Sequence, residues 1–297
     1  MRKMIMYSLL MKMMTIQMSN TRSIGMMRTL EKNKIMMSQF SLLSGFCDIS
    51  HFITTRHGGV SQGTYASMNP GIYTSDDPAL VRENLKLLSE AIDLTPERIV
   101  MPHQVHKDEI RFIDSAFLSL DTTARQAFLE GVDALVTNIP KICVAVSTAD
   151  CVPVLLYSPR NRVVAAVHAG WRGTVLRIVQ KALDFMTTNC GCDARNMIAG
   201  IGPSIGQEAF EVGEEVVDAF REAGFPMDRI LRRFSDTGKA HINLWEANRW
   251  LLMETGVLSE HIEVAGICTY THHTDYFSAR RLGINSGRIL SGIYLNK

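Results

Sequence analysis

The 297-residue sequence predicts an α/β fold of the layered α+β kind, a single domain in which a mixed β-sheet is flanked by helices. Three observations carry this reading. Short runs dense in β-branched residues follow one another at 142–147, 152–157 and 162–167, each bounded by Asp, Pro, Asn or Gly as strands are. A helical apolar pattern comes directly after the third run. No linker, repeat or low-complexity tract interrupts residues 38–297.

Residues 1–37 stand apart. They hold seven Lys or Arg against one acid, Glu31, and eleven of the seventeen methionines. The apolar stretch 4–10 is broken by Tyr7 and Ser8, and no small-residue cleavage site follows. The segment therefore reads as a disordered leader or an over-long start, with translation beginning at Met36 or Met37, and residues 38–297 as one catalytic domain. After the three strands, Val175, Ile178, Val179, Ala182, Leu183 and Met186 recur on one helical face. Cys190-Gly191-Cys192 closes that helix as a turn, since one intervening residue does not match a CxxC motif. An apolar run at 197–201 stops at Gly202-Pro203. Helices are expected over 208–223 and 244–255, the second with Asn243 as N-cap, Glu246 three residues on and Gly256 as the stop. Strands are expected at 264–269 and 289–295.

Composition narrows the function. With 46% hydrophobic residues the chain fills a sizeable core, and a net charge of +1 gives no basic surface for nucleic acid or an anionic membrane. No 18-residue apolar run offers a transmembrane helix. Six scattered cysteines are too few for a disulfide scaffold, which points to a reducing cytoplasm. The chain is expected to be a monomer or small homo-oligomer.

Polar groups gather where strands end, the place where α/β folds put their sites. In "VHAGWRGT" a strand runs into His168, and Gly170 and Gly173 flank Trp171-Arg172 where a helix must start. Such a helix start suits an anion, with Arg172 as a two-pronged donor. "STADCVPVLLY" puts Asp150-Cys151 before the second strand, seventeen residues ahead of His168. If the second and third strands pair, Cys151 and His168 converge at one edge. "MPHQVHKDEI" adds His103 and His106. One Cys and two His with a fourth position open is the stoichiometry of a catalytic zinc site, with bonds of about 2.0 to 2.3 Å. The same residues equally make a Cys–His nucleophilic pair. Arg56 beside His57 and Gly58-Gly59 is a candidate phosphate or carboxylate site, and Arg280, Arg281 and Arg288 form a basic cluster near the C-terminus.

Taken in order, "TTRHGGVS", "HQVH", "TADCVPVLL", "VHAGWRGT", "GIGPSIG", "INLWEANRWLL" and "FSARR…SGR" resemble one family, labelled both as a multicopper polyphenol oxidase or laccase-like domain and as purine nucleoside phosphorylase. The likeness spans about residues 50–295. It implies that the metal ligands are His106, Cys151 and His168, which selects His106 over His103. Lys107 stands where Gly commonly follows, Ala209-Phe210 where Cys-Tyr is frequent, and the stretch from His106 to Cys151 is longer than usual; none of these removes a ligand. The resemblance further implies a zinc enzyme that uses phosphate to cleave adenosine, inosine, guanosine and S-methyl-5'-thioadenosine, and that deaminates adenosine. Some relatives are instead assigned copper-dependent phenol oxidation or editing of peptidoglycan precursors.

Within that scheme Asp150 is expected to orient a ligand histidine or to carry protons, and Arg56, Arg172 and Arg281 to bind substrate or phosphate. Three rivals remain. Copper is a possible occupant, but a multicopper oxidase needs a separate cluster, and the nine histidines include no HxH pair to bridge coppers. A metal-free hydrolase would use Cys151 as nucleophile, His168 as base and Asp150 or Gln104 in support. A purine sensor would bind without turnover.

Overall fold

The computed structural model describes residues 27–297 apart from Asp236. In chain order its strands are β1 (Arg28–Lys32), β2 (Ile35–Gln39), β3 (Ile49–Thr54), β4 (Ile99–Val100), β5 (Ile110–Ile113), β6 (Ala134–Thr137), β7 (Cys143–Thr148), β8 (Val152–Ser158), β9 (Val163–Ala169), β10 (Ile198–Ile201), β11 (Glu211–Val212), β12 (Leu231–Arg233), β13 (Ala240–Ile242), β14 (Ile262–Val264) and β15 (Ile289–Leu295). The helices are α1 (Pro78–Ala91), α2 (Ser115–Ser119), α3 (Thr122–Leu129), α4 (Trp171–Val175), α5 (Ile178–Cys190), α6 (Glu214–Glu222), α7 (Met227–Ile230), α8 (Leu244–Glu254) and α9 (Ala279–Leu282).

The α/β class holds, but the strands do not share one sheet. They form two six-stranded mixed sheets, ordered β1-β2-β3-β15-β7-β4 and β14-β10-β8-β9-β6-β5, and a three-stranded sheet β11-β13-β12. The reason is the burial pattern. Every residue of β8, β9 and β15 is buried, so these strands need cover on both faces. One core cluster supplies it between the sheets, where Val144, Val146, Ile289 and Ile293 meet Leu135, Leu155, Tyr157 and Val164. On the far side of the second sheet Val154, Leu156 and Ala165 pack on Ile178, Leu183 and Leu251 of α5 and α8. On the far side of the first, Phe52, Cys143 and Leu290 pack with Leu88 and Ala91 of α1. The layers run helix, sheet, sheet, helix. The chain passes from β7 in one sheet to β8 in the other through residues 149–151, so that corner sits at the seam.

Local departures from expectation have local causes. β1 lies inside the stretch set aside as a leader, and a boundary after residue 37 cuts β2. There Ile35 and Met37 are buried, and Met37 pairs with Thr54. Asn33 and Lys34 both take positive φ (53° and 69°), the two-residue turn of a hairpin whose first strand is fully exposed and so shows no alternation. The leader reading of residues 1–26 lies outside the described residues. The helix begun at residue 171 breaks at Arg177, whose φ of 62° is left-handed, yet the periodic face from Ile178 to Met186 is buried as expected. Gly213 caps α6, so the helix expected from 208 begins at Glu214, and Glu211–Val212 pairs with β13 instead. The strand expected at 264–269 ends at Val264, with Gly266 at a φ of 64° two residues on. Asn243 caps α8 as read, its side chain accepting from the Glu246 amide at 3.0 Å.

Gly200 of β10 faces Phe40 across the seam, and a Cβ there would lie 2.5 Å from the ring. Gly200→Ala is expected to overpack this contact and lower stability by about 1 to 3 kcal/mol, checked by chemical denaturation against wild type.

Candidate functional site

The site grows from the pairing of β8 with β9. Their antiparallel register sets Val152 opposite Ala169 and Pro153 opposite His168, so Cys151, one residue before β8, arrives beside the end of β9. The convergence expected from the sequence is met. His106 comes from the loop that crosses from β4 in the first sheet to β5 in the second. Gln104 anchors that loop: its amide donates to the Ser147 carbonyl and its oxygen accepts the Ser147 N–H, both at 2.8 Å, much as a strand pairs. Gln104 is thus spent on the main chain and is not available to support a nucleophile. His106 itself sits at a φ of 61°, a left-handed conformation uncommon for a side-chain-bearing residue.

Asp133 sustains that conformation and was not singled out from the sequence. Fully buried, it accepts N–H groups from Val105 (3.3 Å), His106 (3.0 Å) and Lys107 (2.8 Å), and its Oδ1 lies 2.7 Å from His168 Nδ1. One carboxylate therefore fixes the loop that carries one imidazole and the tautomer of the other, leaving His168 Nε2 to face the site. Its signal was an acid embedded in the apolar run "GVDALV", a place where an unpaired charge is not tolerated.

One donor atom each from His106, Cys151 and His168 lies within 4.8 Å of the others, the single such group of three or more His, Cys, Asp or Glu among the described residues. Gly170 makes room: a Cβ there would stand 3.0 Å from the His106 ring and 3.1 Å from the Cys151 sulfur. Gly170 is the N-cap of the five-residue helix α4. Burial pushes the Cys151 thiol up, but the His168 charge and hydrogen bonds from His106 and His168 outweigh it and bring the thiol down to about 6. Burial likewise pushes His168 down, and the Cys151 charge with the Asp133 hydrogen bond reverses this, raising it to about 9. For Asp133 burial favours the neutral acid, while the His168 hydrogen bond and charge and the loop amides hold the carboxyl below its usual range. Two imidazoles and a thiolate, with a carboxylate behind one imidazole, form a donor set that could hold a metal ion.

The three residues line a cavity of about 710 Å³ with Gln104, Asp150, Trp171, Phe210, Arg280 and Arg288 on its walls. Asp150 orients no histidine. At a φ of 90° it accepts from Thr269 Oγ1 at 2.6 Å and from the Arg280 amide at 2.7 Å, tying the C-terminal segment to the corner that carries Cys151. The expected arginines do not line the cavity. Arg56 donates to the Ala66 and His273 carbonyls and packs on Phe277. Arg172 lies over the Trp171 ring, and Arg281 over Tyr270. Arg280 and Arg288, members of the basic cluster, occupy the wall instead.

Residues 50–296 match the family model described as multi-copper polyphenol oxidoreductase laccase. The chain belongs to this family. It is 50% identical over 271 residues to a protein named purine nucleoside phosphorylase from Bacteroides thetaiotaomicron, covering 91% of this chain and all of that one. It is 43% identical to a protein named adenosine deaminase RL5 from an unknown prokaryotic organism, over 83% of this chain and 94% of that one. The crystal structure of YlmD from Geobacillus stearothermophilus superposes with a TM-score of 0.83 at 30% identity, covering 92% of this chain and all of that one. The similarity to proteins of these names supports an enzyme of this family. No helix among the described residues is long and apolar enough to cross a membrane.

Two outcomes follow from the geometry. Cys151 in ion-free protein is expected to stay open to alkylation by iodoacetamide at neutral pH and to lose reactivity as pH falls through about 6, read peptide by peptide in a mass spectrometer, while buried Cys143, whose thiol is pushed up, stays inert. Asp133→Asn, keeping size but losing the charge, is expected to weaken zinc binding about 10- to 100-fold, measured by chelator competition on protein that still folds by circular dichroism.

Proposed function

We propose that the protein is a zinc-dependent purine nucleoside phosphorylase, acting on adenosine, inosine, guanosine and S-methyl-5'-thioadenosine, that also deaminates adenosine. The observation that carries this reading is the meeting of His106, Cys151 and His168 around one point with a cavity on the open side. The names of the similar proteins supply the two reactions. Zinc, when bound, supplies a Lewis acid that can make water nucleophilic near neutral pH or take up charge from a leaving group.

The protein's own groups do the rest. Asp133 holds His168 and the His106 loop in ligating position. His106, Cys151 and His168 would hold the ion, His168 as a neutral imidazole. Arg280 and Arg288 are the cationic groups on the wall and take over the phosphate role first given to Arg56, Arg172 and Arg281. Burial holds the Arg288 guanidinium below its ordinary value, and the charges of Cys151, Tyr65 and Asp150 offset only part of this. Asp150 acts by fixing the Arg280 amide rather than by proton transfer. The compartment is the cytoplasm, and the partners are a purine nucleoside and phosphate.

Copper as native metal fits less well: a single three-ligand group among the described residues leaves no second centre to pass electrons to. A metal-free hydrolase is favoured by one observation, the alignment of Asp133, His168 and Cys151 as orienter, base and nucleophile. Metal analysis followed by product detection separates them. With adenosine and phosphate the purified protein is expected to yield ribose-1-phosphate, and without phosphate inosine alone. His106→Ala, Cys151→Ala and His168→Ala each are expected to lose bound zinc and at least about 1,000-fold in turnover. Full activity in chelator would instead select the hydrolase.

A further inference from the structure

The other histidine of "HQVH" is unused by the metal cluster, yet it is built into the same cavity. His103 and Glu130 are brought side by side by the main chain, which forms a parallel bridge between them. The His103 amide donates to the Leu129 carbonyl at 2.9 Å, and the Gly131 amide donates to the His103 carbonyl at 3.1 Å. The side chains then meet, His103 Nδ1 lying 2.6 Å from Glu130 Oε1. This contact commits Nδ1 and leaves Nε2 without a protein partner among the described residues. The Tyr73 ring lies across the imidazole with centroids 4.3 Å apart, and both residues line the cavity that holds Cys151 and His168.

A half-exposed ion pair contributes little to stability. Holding it by two main-chain hydrogen bonds and covering it with an aromatic ring has a different use: it presents one imidazole nitrogen, in one orientation, to whatever fills the cavity. That is the construction of a general acid or base, a donor nitrogen set by a carboxylate on its far side.

We propose that His103 is the general acid that protonates the purine as it departs, with Glu130 as its positioning residue. The assignment rests on the phosphorolysis put forward above. As a phosphate oxygen forms its bond to the ribose anomeric carbon, the bond from that carbon to purine N9 breaks and its electron pair enters the ring. His103 gives its Nε2 proton to ring nitrogen N7 and regains one from the hydroxyl of the attacking hydrogen phosphate. Glu130 keeps the Nδ1 proton throughout, so atoms and charge balance without any further reactant.

A nucleoside that needs no proton tests this. In 7-methylguanosine the fixed positive charge at N7 already accepts the electron pair. His103→Gln is expected to lower kcat/KM for inosine about 100-fold while holding 7-methylguanosine within about 3-fold of wild type. Glu130→Gln is expected to show the same selective loss at about 10-fold, with Glu130→Asp recovering part of it. Equal losses on both nucleosides, or no loss on inosine, would overturn the assignment. Failure of the underlying reading looks different: wild-type protein then yields no ribose-1-phosphate from either nucleoside.

Discussion

A single buried carboxylate organises this molecule. Asp133 stands in an apolar strand start where an unpaired charge would cost several kcal/mol, and it is satisfied from two directions at once. Three consecutive amides of the His106 loop and the Nδ1 of His168 converge on it. The loop cannot relax without stranding the carboxylate, and the carboxylate cannot move without releasing His168. Strain at His106, whose φ is 61°, is therefore stored where a ligand must be aimed and is held by charge-assisted hydrogen bonds to Asp133.

The sequence made the elements legible where burial is two-sided or periodicity is long. The runs that became β7, β8 and β9, the face of α5 and the cap of α8 all read correctly because their apolar spacing records the packing directly. The division into two sheets did not read, because a strand buried on both faces looks the same whether helices or a second sheet cover it. Nor did the β1–β2 hairpin, since one strand is wholly exposed and the other methionine-rich.

The site divides along the same line. Cys151, His106 and His168 were found because their residue types carry chemistry wherever they sit. The positions of the supporting charges were less legible, because they depend on three-dimensional neighbours. Arg56 and Arg281 meet carbonyls and aromatic rings away from the cavity, while Arg280 and Arg288 also donate to main-chain carbonyls but line the cavity wall. Asp150, adjacent in sequence to Cys151, points to Thr269 and Arg280; the carboxylate that serves His168 lies 35 residues away in the chain.

The two sheets meet at a seam, and the chain crosses that seam at the corner which bears Cys151. His106 lies on the loop that links β4 of the first sheet to β5 of the second, and His168 lies on β9 in the second sheet's interior. An ion held by all three would pin that inter-sheet loop to the Cys151 corner and to the end of β9, and the protein's resistance to heat would then depend on free metal concentration. Depletion of the ion would cost the molecule mechanical closure as well as chemistry.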